Sequence, residues 1–282
     1  MGRLEQYAQI VGEDVINHLR QLGAHLEGMK VVHVNSTREG GGVAEILHRL
    51  IPLKQELGID ARWEVITGSD LFFQCTKLMH NGLQGASVDL NEDHLKEYER
   101  VNEANAETLG KTLEEADIFF VHDPQPAALL HFVPARRGRW IWRCHIDAGR
   151  PFRPVWKFLR NYVGTYHASI WSLSEFAQPL PHPLYLVAPS IDPLSEKNID
   201  LEGDELTAMY HRWGLDPGRP IITQVSRFDR FKDPLGVIRA YRLVREFSPV
   251  QLVLACGCAA EAPGGEAGIR RVRKTPGPDT AI

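Results

Sequence analysis

The sequence predicts an α/β fold built on mainly parallel sheets. Strand and helix signals alternate along the chain, as they must where each parallel pair needs a crossover. Apolar runs end in His, Asp and Pro, as in "FFVHDPQP" and "WIWRCHID", at the edge where open α/β sheets bind ligands. A strand–loop–helix unit occurs in each half, beginning at "MKVVHVNSTREGGGVAE" and at "PIITQVSRFDRFKDPLG".

The elements follow in order. "MGRLEQYAQIVGEDVINHLRQLG" is an amphipathic helix pattern with charges throughout, and lacks the apolar core of a signal peptide. "MKVVHVNS" (29–36) is a buried strand. "VAEILHRLIPLKQEL" (43–57) places apolar residues at near-helical spacing, and Gly58 stops it. "ARWEVITG" (61–68) is the next strand. "NEDHLKEYERVNEANAETLGKTL" (91–113) is a long polar helix that Asn91 opens, with Glu92 and Asp93 in its first turn. "DIFFVHDPQP" (117–126), "WIWRCHID" (140–147), "ASIWSLS" (168–174) and "LYLVAPSID" (184–192) continue the strands. The segment 196–219 is rich in Pro, Asp and Gly and reads as a linker between a first domain (1–195) and a second (220–282). The second begins with the strand "PIITQVSRF" (220–228). A helix (234–247) with Pro234 in its first turn follows, then the strand "VQLVLACG" (250–257). The tail offers at most one helix near 265–274. So few elements leave a sheet edge and an apolar face uncovered, and the chain is expected to be cut short. A homodimer would help cover that face.

Composition narrows the function. The chain has 282 residues, 43% hydrophobic and 24% charged, with net charge −4. No part is strongly basic, which argues against nucleic acid as the partner. No stretch reaches the ~18 apolar residues of a membrane span. Cys75, Cys144, Cys256 and Cys258 show no disulfide framework, so a cytoplasmic, reduced protein is expected. Cys256 and Cys258 form a lone C-x-C with no second ligand pair, so no metal is expected.

Three stretches could carry chemistry. The glycines of "NSTREGGGVAE" lie between a strand and a helix, whose opening N–H groups have no internal partner. A phosphate or sugar over Gly40–Val43 is one reading; a tight turn without a ligand is the other. The spacing is neither G-x-G-x-x-G nor a P-loop, which weakens a nicotinamide-dependent enzyme. His145 and Asp147 of "HID" end a strand at the same edge, as sugar ligands or as a satisfied strand end. Arg227 and Lys232 of "SRFDRFKD" precede a helix N-terminus, where two cations would draw a dianion or simply meet solvent.

Taken together, "GGGVAE", "HID…PFRPVW" and "VSRFDRFKDPLGVIRAYRLV" resemble the retaining GT-B glycosyltransferases of family 4. They are similar above all to the trehalose glycosyltransferring synthases, as is "LPHPLYLVAPSIDPLSEKN". The resemblance implies two Rossmann-like domains facing a cleft, the second incomplete here. It implies transfer from an NDP-glucose (ADP- or UDP-glucose) to glucose, without a metal or an enzyme nucleophile. Gly41 and Gly42 would approach the donor, His145 and Asp147 would lie near the reacting sugars, and Arg227 and Lys232 would neutralise the leaving diphosphate. Arg38, Glu45 and Asp147 are candidates for holding the acceptor. One departure is plain: the family's Glu-x7-Glu pair is absent, since after Cys256 only Glu261 and Glu266 occur. Transfer is therefore expected to be impaired, with a non-catalytic sugar-binding remnant as the alternative.

Overall fold

A computed structural model describes residues 2–226, 232–255 and 280–281. The chain divides into two compact units, Met1–Asn198 and Ile199–Ile282.

The first unit opens with α1 (Arg3–Val11) and α2 (Glu13–Ala24). The sequence pattern reads as one helix here, but Gly12 at φ 87° breaks it. Then come β1 (Lys30–Asn35), α3 (Gly42–Glu56), β2 (Asp60–Val65), α4 (Asp70–Leu83) and α5 (Glu92–Glu115). The unit continues with β3 (Ile118–His122), β4 (Arg139–Arg143), α6 (Arg153–Val163), β5 (Ala168–Trp171) and β6 (Leu184–Leu186). Asn91 caps α5 by accepting from the His94 N–H at 3.0 Å. α3 runs through Pro52 despite the lost donor. Burial of Ala44, Leu47 and Ile51 against Val31, Ala61 and Trp63 holds it in place.

All six strands are parallel, in the order β2-β1-β3-β4-β5-β6. Chain order reverses between β1 and β3, so ligands are expected above the C-terminal ends of these strands. The two faces of the sheet differ. Val32, Val34, Phe119, Val121, Trp140 and Trp142 join the larger core, which α4, α5 and α6 complete. The opposite face of the central strands carries His33, Phe120, His122 and Arg143, because side chains alternate along each strand.

The second unit contains α7 (Gly203–Trp213), β7 (Ile221–Val225), α8 (Pro234–Arg245), β8 (Gln251–Ala255) and β9 (Thr280–Ala281). Its strands are parallel in the order β7-β8-β9. The stretch 196–219, read from composition as a linker, carries α7. A Glu202–Glu205 capping box starts that helix and Gly214, at φ 62°, ends it. Among the described residues no helix is long and apolar enough to cross a membrane.

Candidate functional site

The loop after β1 is tied by its own polar groups. The Asn35 amide donates to the Thr37 carbonyl and accepts from the Trp63 indole, each at 2.8 Å. Gly40 and Gly41 take φ of 73° and 81°, which side chains rarely adopt. Gly41 is the N-cap of α3, so no side chain satisfies the first helical N–H groups. A Cβ at Gly40, Gly41 or Gly42 would meet nothing within 4 Å. The N-terminus of α3 therefore presents bare donors to open space, with the partial positive charge that favours an anion.

Beyond β1 lies a polar file that crosses the sheet. The Lys54 amine, reaching down from α3, stands 2.8 Å from His33 Nε2 and 4.6 Å over the Phe120 ring. His33 Nδ1 is 2.9 Å from His122 Nε2, and His122 Nδ1 is 3.0 Å from His145 Nε2. Burial holds the His33 and His122 rings well below the ordinary imidazole range, Lys54 and His145 respectively adding to it. Burial, with Arg143 next, takes His145 down to about 4, and burial takes Lys54 down to about 8. At neutral pH the imidazoles are uncharged and the amine is mostly charged.

Asp123 holds this file at the sheet edge. Its carboxylate accepts the His145 N–H at 2.7 Å, its own N–H donates to the Arg143 carbonyl, and its φ is 63°. Burial pushes its carboxyl up to about 7.

A cavity of about 500 Å³ opens beside the file, between α3 and the segment 187–197. His33, Lys54, His122, Arg143 and His145 form its floor. The segment over it is pinned by Asp192, which accepts from the Tyr7 hydroxyl at 2.6 Å and pairs with Arg49 at 2.9 Å. Lys197 pairs with Glu45.

The residues singled out from sequence fall into separate places. Gly41 and Gly42 stand at the start of α3, and Glu45 lines the cavity. His145 also lines the cavity, whereas Asp147 is exposed and accepts the Gly149 N–H at 2.9 Å, so the "HID" pair is not brought together. Arg38 lies over the Trp63 ring at 4.6 Å and donates to the Trp63 carbonyl, which commits it to β2. Lys232 belongs to the second unit, where its carbonyl accepts from the Gln224 amide at 2.6 Å. Arg227, Cys256, Cys258, Glu261, Glu266 and the helix expected near 265–274 lie outside the described residues. Among the described residues no group of His, Cys, Asp and Glu could hold a metal. Sequence reasoning missed Lys54, Asp192 and Tyr7, which carry no local motif. It also missed His33, whose only signal is a histidine inside an apolar strand.

Comparison with known proteins adds three findings. A family model, trehalose synthase N-terminal domain, matches residues 33–178. The chain is 46% identical to the trehalose synthase of Pyrococcus horikoshii over 267 residues, and 42% identical to that of Rubrobacter xylanophilus over 268. Each match covers 93% of this chain and 64% of the relative, so the chain spans somewhat less than two thirds of their length. Among solved structures, it is similar to an α,α-trehalose-phosphate synthase from Burkholderia xenovorans in complex with glucose-6-phosphate. There the TM-score is 0.65 at 16% identity, covering 87% of this chain and 70% of that one.

Proposed function

The chain belongs to the trehalose synthase family and has the GT-B type of fold, and from that membership we propose that it serves retaining transfer of glucose from an NDP-glucose to glucose, forming trehalose. The supporting observation is the bare N-terminus of α3 at the end of β1. His145 follows the end of β4, two strands away, about 10 Å across the same sheet edge.

In this reading the N–H groups of Gly42, Val43 and Ala44 hold donor oxygens. His145 binds a sugar hydroxyl, and Glu45, at the cavity, binds the acceptor. Arg38 and Asp147 contribute to the acceptor side only by leaving the partners they hold in this structure. In the second unit, Arg227 and Lys232 stabilise the diphosphate as it leaves. The acceptor oxygen attacks C1 on the face the diphosphate departs from. The C1–O bond to the diphosphate breaks, and the acceptor proton passes to a diphosphate oxygen. The step needs no covalent enzyme intermediate and no metal.

The test is incubation of the chain with ADP- or UDP-glucose and glucose, followed by proton NMR. A product with both anomeric centres α supports the reading. Absence of product together with absence of calorimetric binding of NDP-glucose and glucose overturns it. Sugar binding without turnover supports instead the non-catalytic sugar-binding alternative.

A further inference from the structure

Lys54 on α3, His33 on β1, His122 on β3 and His145 just past the end of β4 stand in single file, with contacts of 2.8, 2.9 and 3.0 Å. A protonated amine has donors and no acceptor, so Lys54 donates and His33 accepts at Nε2. A neutral imidazole carries a single N–H, so that of His33 sits on Nδ1 and points at His122 Nε2. The same reasoning puts the His122 proton on Nδ1, pointing at His145 Nε2, and the His145 proton on Nδ1 as well. No described residue accepts from that last N–H, and His145 lines the cavity.

We propose that this file is a one-way hydrogen-bond chain that commits His145 to donating through Nδ1 to an oxygen of the bound ligand, with Lys54, His33 and His122 as its positioning residues. The ligand class is one that offers an oxygen acceptor, a sugar hydroxyl or a phosphate. That identity rests on the function proposed above; the proton positions do not.

The surroundings support the direction. Burial keeps the imidazoles neutral, so no ring supplies the second N–H that would break the order. Arg143 faces the same rings and adds to that pressure, as Lys54 does from the other end. Asp123 is spent on the His145 backbone rather than on a ring nitrogen, so no carboxylate competes within the file. The arrangement also has a cost that a purely structural cluster need not bear. Free histidine in water favours the Nε2–H form, and here three rings in succession are held in the other.

The experiment is long-range proton–nitrogen NMR of the full chain, labelled at histidine, at pH 7 without substrate. The expected result is the Nδ1–H form for His33, His122 and His145. In Lys54→Met, His145 should become a mixture of forms, and Lys54→Arg, which keeps donors at that position, should restore the single form. A wild-type His145 with its proton on Nε2 overturns the proposal, whether or not the variants fold. So does a folded Lys54→Met chain whose His145 signals are unchanged. Because no substrate is present, failure of glucosyl transfer would sink the proposed function and leave this result standing, and the converse also holds.

Discussion

The carboxylate of Asp123 accepts the backbone N–H of His145 at 2.7 Å and so fastens the end of β3 to the turn that follows β4. The bond reaches across the sheet from a residue whose φ of 63° few side chains adopt, and it aims the imidazole into the cavity. Removing the acceptor should leave a part-buried N–H without a partner. Asp123→Ala is expected to lose about 1–3 kcal/mol of stability in urea unfolding. Asp123→Asn keeps an acceptor oxygen and should lose less than half of that. Equal losses in the two variants would show that the bond matters less than the packing.

Acid should destabilise the first unit through the histidine file. The folded-state values of His33, His122 and His145 lie below the free imidazole value, so the unfolded chain binds more protons as pH falls. Their contribution is fully present above about pH 6.5 and is lost as pH falls toward the folded values. Asp123 acts oppositely: its carboxyl, at about 7 when folded, makes the folded chain bind more protons between the free and folded values. Wild-type stability should therefore fall from pH 6.5 to 4, and Asp123→Asn should steepen that fall by about one proton. Thermal unfolding across this range checks both slopes.

The glycines at 41 and 42 should separate strain from ligand access. Gly41 combines φ of 81° with ψ of 158°, a region almost confined to glycine, so Gly41→Ala should cost about 1–3 kcal/mol. Gly42 is helical and a Cβ there meets nothing within 4 Å, so Gly42→Ala should leave the melting temperature unchanged or slightly raised. If a donor approaches the α3 N-terminus, the same methyl group should weaken calorimetric NDP-glucose binding. Unaltered binding in Gly42→Ala would place the donor elsewhere.

Asp192 should govern access to the cavity. Burial and the Asp192 carboxylate push the Tyr7 hydroxyl up to about 12, so it stays a donor at all ordinary pH. A Tyr7→Phe and Asp192→Ala double-mutant cycle is expected to give a coupling of about 1 kcal/mol. The half-exposed Arg49 adds little. Hydrogen exchange in residues 187–197 should speed up in either variant, and unchanged exchange would mean that other contacts hold the segment.

Much of the chain was legible in sequence because its signals are local. Asn91 opens α5, Pro234 starts α8, and Gly58, at φ 83°, follows the end of α3 as its position suggests. α4 and α6 escaped notice although Ser69 caps the first, accepting from the Phe72 N–H at 3.2 Å. Their buried faces are apolar at helical spacing, Phe72, Cys75, Met79 and Leu83 on α4 and Val155, Leu159 and Val163 on α6, so the periodic signal was present in the sequence and went unread. α7 was hidden by a composition that suggested a linker.

By itself, the sequence determined the alternating α/β plan, the glycine turn that leaves the start of α3 bare, and the family. Each of these depends on residues near one another in the chain. Only the tertiary structure decided that His33, His122 and His145 form one file ending on Lys54. The first two histidines are 89 positions apart in sequence and the last two 23 apart. What joins them is the parallel order β1-β3-β4, whose register sets Phe120 beside His33 and Arg143 beside His122. No local pattern encodes strand order, because it follows from how the helices cover both faces of the sheet.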